Sequence, residues 1–335
     1  MIGESFNKWE DMKWFFLGLI LSITYAHSSP GKFIDFKERK KEFILGPIKI
    51  DKIYKSMAGP EKSLKDLDFE LNPKKSKNIW ITKFKAEVLD TKDNNESQEF
   101  MCHVVLRSTA ETISNATLGV AQGQKEVIFP KGFAVRMVNH PNYPIILDGQ
   151  ILNNNYRQIN KDVYFKITVS YVDDEAAKKL ELKPMEMKFF GGLCPNKTCE
   201  PVYPEKTYHV CEGKKYSGHW LVPPGKHNYP AVQNGQLALT KNIKIHYIWM
   251  HLHPYGESMS LKDLTTGKII WTGKAKNQNN KAVVLETDHF SSPEGIWLYK
   301  DHQYEVTTSY NNKTGKKIDA MGLLYMYYND PNYSF

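Results

Sequence analysis

After Pro30 the chain alternates apolar and polar residues in short runs separated by turn residues, a pattern typical of strands in sandwiches and barrels. The clearest runs cover residues 79–88, 99–106, 163–172 and 243–253. Only residues 175–182 have the pattern of a short helix. The sequence therefore predicts an all-β protein.

Two hairpins are predicted where a glycine follows polar turn residues. Residues 258–264 lead through a turn ending at Gly267 into residues 268–274, and residues 304–310 lead through a turn ending at Gly315 into residues 316–328. Glycine suits such reversals because it adopts positive φ without steric cost.

The length of 335 residues predicts two domains at about 150 residues each. Residues 183–229 are rich in Pro, Gly and Cys and poor in alternation. We therefore expect β-sandwich domains at 42–185 and 205–331, joined by a loop-rich linker with cysteines at 186–204.

The charge is mildly basic, with 45 Lys and Arg against 37 Asp and Glu for a net charge of +8. The lysines are spread along the chain, which favours solubility over a nucleic-acid interface, so we expect no nucleic-acid partner. Glycine-rich phosphate loops, nucleophile elbows and zinc-protease helices are missing from the sequence. This argues against nucleotide chemistry and the common hydrolase plans.

The N-terminal residues resemble a secretory signal peptide. Lys13 precedes the apolar run 14–23, and small and polar residues follow at 26–29. Because the acidic stretch before it is atypical of such a peptide, we expect translation to begin at Met12. The run is shorter than the ~20 residues of a membrane span. We expect a signal peptide at 1–29 and a secreted or periplasmic mature chain without a transmembrane anchor; an uncleaved lipid-surface anchor is the alternative.

Four cysteines fit an oxidising compartment. Cys194, Cys199 and Cys211 lie within 18 residues of each other and Cys102 lies far away. Sequence does not fix the pairing, so all four are disulfide candidates. A zinc knuckle formed by the first three with His209 is the alternative.

The sharpest chemical motif is His251 and His253. Residues i and i+2 of a strand point to the same face, so the two imidazoles can bind one metal ion. Pro254 and Gly256 then end the strand, which places the site at a sheet end. The alternative is two unrelated histidines on a polar face.

A late methionine gives this motif a wider context. Residues 243–328 contain, in order, the His-x-His strand, a hairpin, an Asn-Lys-Thr-Gly turn and an aromatic strand with Met321. This order resembles the copper type II, ascorbate-dependent monooxygenase family, which includes peptidylglycine α-hydroxylating and dopamine β-monooxygenases. The resemblance implies two consecutive jelly-roll-like antiparallel β-sandwiches and a C-terminal copper bound by His251, His253 and Met321. Without it, Met321 would be interpreted as core packing.

The resemblance also implies a second copper in the N-terminal sandwich, but here the residues depart from the family pattern. Cys102 and His103 stand where the family has a pair of histidines, and Gln150 stands where it has a third. A degenerate site would use His103 with Cys102 or His140. The alternative is that His103 is a half-buried strand residue and Cys102 a disulfide partner or buried thiol.

Three functions remain open from the sequence. The first is an exported oxidoreductase that uses copper, O2 and ascorbate or another reductant on an unidentified small-molecule or peptide substrate. The second is a non-catalytic copper-binding or copper-delivery protein, and the third is a metal-free binding module whose 19 Tyr and 7 Trp provide contact surface. His219 and His227 are interpreted as surface or supporting groups.

Overall fold

Eight principal strands in each half of the chain build the fold in this computed structural model. The structure describes residues 38–54, 58–71, 77–110, 117–154, 159–191, 194–195, 199–203, 207–209, 215–232 and 237–329. The predicted signal peptide at 1–29 and the candidate ligand Cys211 lie outside these residues, and the side chains of Cys194 and His209 are not among those described.

The first half forms two antiparallel sheets. Strand β6 (Glu126–Ile128) adds to the first sheet beside β3. The first sheet has the order β1-β9-β3-β7 and the second the order β2-β8-β4-β5, the strands being β1 Arg39–Ile50, β2 Glu61–Leu64, β3 Asn78–Leu89, β4 Met101–Ser108, β5 Thr117–Ala121, β7 Phe133–Val138, β8 Ile145–Ile151 and β9 Lys161–Asp173.

The second half repeats this plan. Its sheets have the orders β10-β24-β17-β21 and β16-β22-β18-β19, with β20 (Val284–Thr287) added beside β19. The principal strands are β10 Lys183–Gly191, β16 Gly225–Val232, β17 Ile243–Leu252, β18 Gly256–Asp263, β19 Ile269–Asn277, β21 His289–Leu298, β22 Tyr304–Asn312 and β24 Gly322–Asn329.

The two halves have the same topology. When each set of eight strands is renumbered from one, both give the sheet orders 1-8-3-6 and 2-7-4-5. This interleaving of two Greek keys is the jelly roll. The prediction of an all-β chain with two consecutive jelly-roll sandwiches is therefore confirmed, and we call them the first and second roll.

In the described part of the chain, six small strands lie within the second roll in sequence, five between β10 and β16 and one between β22 and β24. They form two three-stranded sheets, with the orders β11-β14-β13 and β12-β15-β23. These strands are β11 Cys194–Pro195, β12 Glu200–Pro201, β13 Thr207–His209, β14 Lys215–Ser217, β15 Trp220–Val222 and β23 Ile318–Ala320. The second small sheet joins the predicted linker to the late strand β23, and it positions the site described below.

A single sheet runs through both rolls. Strand β7 of the first roll pairs in parallel with β10 of the second over three residue pairs, so the first sheets of both rolls form one continuous sheet with β6. The described residues between 38 and 329 accordingly belong to one compact unit. The predicted domain limits within it stay a prediction.

Apolar side chains at alternate strand positions pack into two hydrophobic cores. Strand β22 is buried at every second residue, as expected for a strand with one face on a core. The sheet β10-β24-β17-β21 of the second roll is also buried on the face that points away from its own core. Tyr247, Trp249 and Tyr327 project from β17 and β24 into the core cluster of the first roll, and Trp249 stacks on Tyr325 with ring centroids 4.0 Å apart.

The predicted helix and one predicted hairpin are present. Helix α1 (Asp174–Lys179) is capped by Asp173, whose carboxylate accepts a hydrogen bond from the Ala176 N–H. Strands β18 and β19 pair as the predicted hairpin. A short 3-10 turn, Gln98–Phe100, precedes β4. The part of the chain that the structure describes contains no helix long and apolar enough to cross a membrane.

The second predicted hairpin is wrong. After the turn at Gly315, β23 pairs with β15 and β24 pairs with β10 and β17, whereas β22 pairs with β16 and β18. The turn residues were interpreted correctly, but the chain crosses from one sheet to the facing sheet there. Local sequence cannot distinguish such a crossing from a hairpin, because both need the same reversal.

Candidate metal centre

Three side chains converge where β17 ends. The candidate ligand atoms of His219, His253 and Asp319 all lie within 4.8 Å of one another. Nδ1 of His219 is 3.3 Å from Asp319 Oδ1, and Nδ1 of His253 is 3.5 Å from the same oxygen. All three come from the second half of the chain.

Each of the three is placed by a different strand. His253 directly follows β17, and its backbone N–H donates to the Tyr310 hydroxyl at 3.0 Å. Asp319 is the central residue of β23, which pairs with β15 through Leu221. His219 immediately precedes β15. The β15–β23 pairing therefore brings His219 and Asp319 to the end of β17.

The centre is shielded from water. The side chains of His219, His253 and Asp319 are 11%, 7% and 22% exposed. A buried carboxylate and two imidazoles are costly unless they are paired or bind a metal. Asp319 Oδ2 nevertheless finds no hydrogen-bond partner among the described residues.

Electrostatics favour an ionised carboxylate at this place. Burial raises the pKa of Asp319, but the charge and hydrogen bonding of His253 and His219 outweigh it and hold that pKa well below its usual range. The carboxylate is therefore available as an anionic ligand.

His251 lies beside this group. Its ring centroid is 5.4 Å from that of His253, with the planes nearly perpendicular. Burial, followed by the charges of His253, His103 and His219, lowers its pKa well below 6.5. Its Nδ1 is buried and has no hydrogen-bond partner in the described part of the chain.

The donor set fits a transition metal. Imidazole nitrogens and carboxylate oxygens bind such ions at about 2.0–2.2 Å, so neighbouring donors of a tetrahedral site lie roughly 3.4 Å apart. The two distances to Asp319 Oδ1 match this spacing. Two imidazoles with one carboxylate form a set known for zinc and iron, and imidazole ligands also suit copper.

The sequence prediction named one member of this group. His253 was predicted as a ligand together with His251 and Met321, whereas His219 and Asp319 were missed. His219 was interpreted as a surface or supporting group because nothing in the sequence near it indicates pairing with residue 319. Asp319 offered a signal, since it lies two residues before the predicted ligand Met321.

Met321 lies next to this centre along the backbone. The Tyr310 hydroxyl accepts from the N–H groups of both Met321 and His253 and donates to the Met321 carbonyl oxygen at 2.6 Å. The Tyr310 hydroxyl thus links the backbone at His253 to the backbone at Met321 through hydrogen bonds. Ligation by the Met321 sulfur and by His251 stays a prediction.

The residues of the predicted N-terminal site have different surroundings. His140 is exposed, and its Nδ1 accepts a hydrogen bond from the Asn142 N–H. His103 lies on β4 and faces Gln150 and Ala121 in register. Its charge is one of those that lower the pKa of His251. A degenerate metal site at His103, Cys102 and His140 stays a prediction.

The cysteines divide into two kinds. Cys199 is disulfide-bonded, to a partner outside the described side chains. Cys102 is buried in the sheet and forms no disulfide. Cys102 therefore leaves the set of disulfide candidates because its sulfur is not bonded, and it lies close enough to Tyr325 to contribute to that residue's raised pKa.

Comparisons with known proteins give only distant structural likenesses. No protein-family model matches the sequence, and no curated protein matches it. The chain is similar to PBCV-1 VP54 as fitted into a reconstruction of the virophage Sputnik, with 9% identity, a TM-score of 0.38, and coverage of 87% of this chain and 93% of that chain. The chain is also similar to a PBCV-1 virus capsid model, with 8% identity, a TM-score of 0.34, and coverage of 87% of this chain and 93% of that chain. Its similarity to the infectious bursal disease virus VP2 subviral particle has 9% identity, a TM-score of 0.19, and coverage of 88% of this chain and 73% of that chain.

Likenesses this distant carry no information about activity or partners. Jelly rolls serve in capsids, lectins and enzymes alike, so the fold does not select among these functions. The function of this chain is therefore inferred from its candidate site alone.

Proposed function

We propose that this chain is a transition-metal-binding protein whose ion is held by His219, His253 and Asp319. The observation that carries the proposal is the convergence of three donor atoms within 4.8 Å in a shielded position. Copper is the metal we favour, because Cu²⁺ binds most tightly among divalent first-row ions at nitrogen and oxygen sites. When bound, it would supply redox chemistry.

Metal titration tests this proposal. Purified residues 30–335, stripped of metal, are titrated with Cu²⁺ and with Zn²⁺ by calorimetry, and the copper-loaded protein is examined by EPR. We expect one tight copper with nitrogen hyperfine structure. His219→Ala and His253→Ala should each lose it, since each removes one of three ligands.

His227→Ala is the matched control. His227 is a half-buried residue of β16 whose Nε2 lies 3.1 Å from the Pro224 carbonyl oxygen, and it is not one of the three converging donors. Its removal should leave copper binding unchanged. Equal copper binding in the His219→Ala, His253→Ala and His227→Ala proteins would overturn the proposal and leave a metal-free binding module.

Ascorbate-dependent hydroxylation is a second candidate function, and access to the site favours it. His253 and Asp319 both line a cavity of about 380 Å³, so a bound ion would have an open side. His219, His253 and Asp319 would hold the ion, and the cavity would let O2 and a substrate reach its open side. Copper-loaded protein should consume O2 when ascorbate is added, and His253→Ala should abolish this. Copper binding without consumption would indicate a binding or delivery protein.

We also propose that the protein works outside the cytoplasm. Disulfides persist in oxidising compartments, and Cys199 is disulfide-bonded. This agrees with the predicted signal peptide at 1–29. Expression with and without residues 1–29, followed by cell fractionation, tests it: the shortened chain should remain in the cytoplasm, and equal export of both chains would contradict the proposal.

A further inference from the structure

The cavity beside the metal centre lies between the two rolls. Ile53, Tyr54 and Asn154 line it from the first half of the chain, and residues of β15 and β23 line it from the second. Its volume of about 380 Å³ equals that of roughly a dozen water molecules. This is the size of a site for one small organic molecule.

Most of the cavity wall is apolar. The apolar and aromatic lining residues are Ile53, Tyr54, Val202, Leu221, Pro254, Tyr255, Ala282 and Ile318. The Tyr54 hydroxyl is already bonded to Asp51, so this ring offers mainly its face. A ligand that fills the cavity therefore needs an apolar body, because a polar one would lose hydrogen bonds to water.

The charge of the cavity is concentrated in one part of its wall. Lys316, Lys317 and Asp319 lie within four residues of each other, and His253 faces the same space. Lys317 is ion-paired with Glu200. A divalent ion at the metal centre would make this part of the wall strongly positive.

Resting on the proposed metal centre, we propose that this cavity binds a small monocarboxylate with an apolar body. The carboxylate lies towards the metal centre and Lys316, and the body lies against Ile53 and the tyrosine rings. A cation and a metal at one end suit an anion, while the apolar walls exclude inorganic anions and sugars.

Benzoate is a direct probe of this inference. Its affinity for the copper-loaded protein is measured by calorimetry and compared with that of benzyl alcohol, which keeps the ring, and of acetate, which keeps the charge. We expect benzyl alcohol to bind at least about tenfold more weakly because it loses one charge-assisted contact. Acetate should also bind at least about tenfold more weakly because it loses the burial of the apolar ring.

Two pairs of variants locate the binding. Ile53→Glu places a negative charge at the cavity and should weaken benzoate about tenfold or more, whereas Ile44→Glu, an equally exposed isoleucine on β1, should not. Lys316→Gln should weaken it and Lys313→Gln should not, because Lys313 is exposed in the same turn but does not line the cavity.

Copper binding is measured first in every variant, which separates the two proposals. Normal copper binding with equal affinities for benzoate and benzyl alcohol would overturn the carboxylate inference alone. Equal effects of Ile53→Glu and Ile44→Glu would do the same. If the wild type bound neither copper nor benzoate, both the proposed metal centre and the carboxylate inference would be overturned.

Discussion

His219 Nδ1 lies 3.3 Å from Asp319 Oδ1, although one hundred residues separate the two in the chain. The pairing of β15 with β23 makes this contact, since Leu221 and Asp319 are partners in that ladder. The site thus depends on a sheet of short strands, while His253 directly follows the long strand β17.

Metal affinity should fall as the pH is lowered, because protons compete with a metal ion for imidazole ligands. The Asp319 carboxylate stays ionised over the same range because its pKa lies well below the usual value. We therefore expect Asp319→Asn to weaken copper binding at every pH without changing the slope of log Kd between about pH 5 and 8.

Competition titrations with a chelator at several pH values measure this slope. Asp301→Asn, an exposed carboxylate in the turn before β22, is the control and should match the wild type. A shallower slope in Asp319→Asn than in the wild type would contradict the prediction, since it would mean that the carboxylate titrates.

The metal-free protein should lose stability in mild acid. Burial and neighbouring positive charges lower the pKa of His251 below its unfolded value of 6.5. The unfolded chain therefore binds a proton more readily, so the stability that neutral His251 contributes is complete above about pH 6.5 and is lost as the pH falls towards the folded pKa. Burial also lowers the pKa of His103, so this histidine likewise reduces stability as the pH falls.

Urea unfolding between about pH 7 and 5 measures the effect, at most about 1.4 kcal/mol per pH unit for each histidine. His251→Gln should flatten this pH dependence, whereas His227→Gln, at a half-buried position of β16, should retain it. A His251→Gln protein with the pH dependence of the wild type would show that this histidine is not the source.

Gly149→Ala should destabilise the first roll. An added Cβ would lie 2.8 Å from atoms of Leu45 and Phe165, which project from the facing sheet. Overpacking of this kind costs about 1–3 kcal/mol. The Cβ of Gly119→Ala, in the same sheet, would meet its neighbours at 3.7 Å or more and should cost less. Denaturant midpoints of the two variants test this, and equal midpoints would contradict the close packing at Gly149.

Asp174→Ala should also destabilise the first roll. The Asp174 carboxylate accepts hydrogen bonds from the Lys77 and Asn78 N–H groups, the Asn78 side chain and Trp80 Nε1. Its removal leaves the half-buried donors without this acceptor, at a cost of about 1–3 kcal/mol. Asp162→Ala, on the exposed side of β9, should be nearly neutral in the same urea unfolding experiment. Similar losses in both variants would refute the role given to Asp174.

The sequence predicts strands better than their partners. Alternation at 79–88 and 163–172 corresponds to β3 and β9 because burial on one face acts residue by residue. The pairing partners of β22 depend on how the two sheets of the second roll pack face to face. That packing depends on residues from many parts of the chain. The predicted hairpin at Gly315 is wrong for this reason.

The candidate site shows the same limit. His253 was predicted because its neighbour His251 repeats the same residue type at strand spacing, which is a local pattern. Asp319 and His219 contact it through the β15–β23 pairing, and three-residue strands leave almost no pattern in a sequence.

The parallel seam between β7 and β10 has a consequence for fragments of this protein. A chain cut between the rolls would leave β7 or β10 with an uncovered row of amide and carbonyl groups, which readily recruits strands from other molecules. It would also expose Tyr247, Trp249 and Tyr327, which the first roll normally covers. Each half expressed by itself should accordingly aggregate, because each roll covers apolar surface and strand edges of the other.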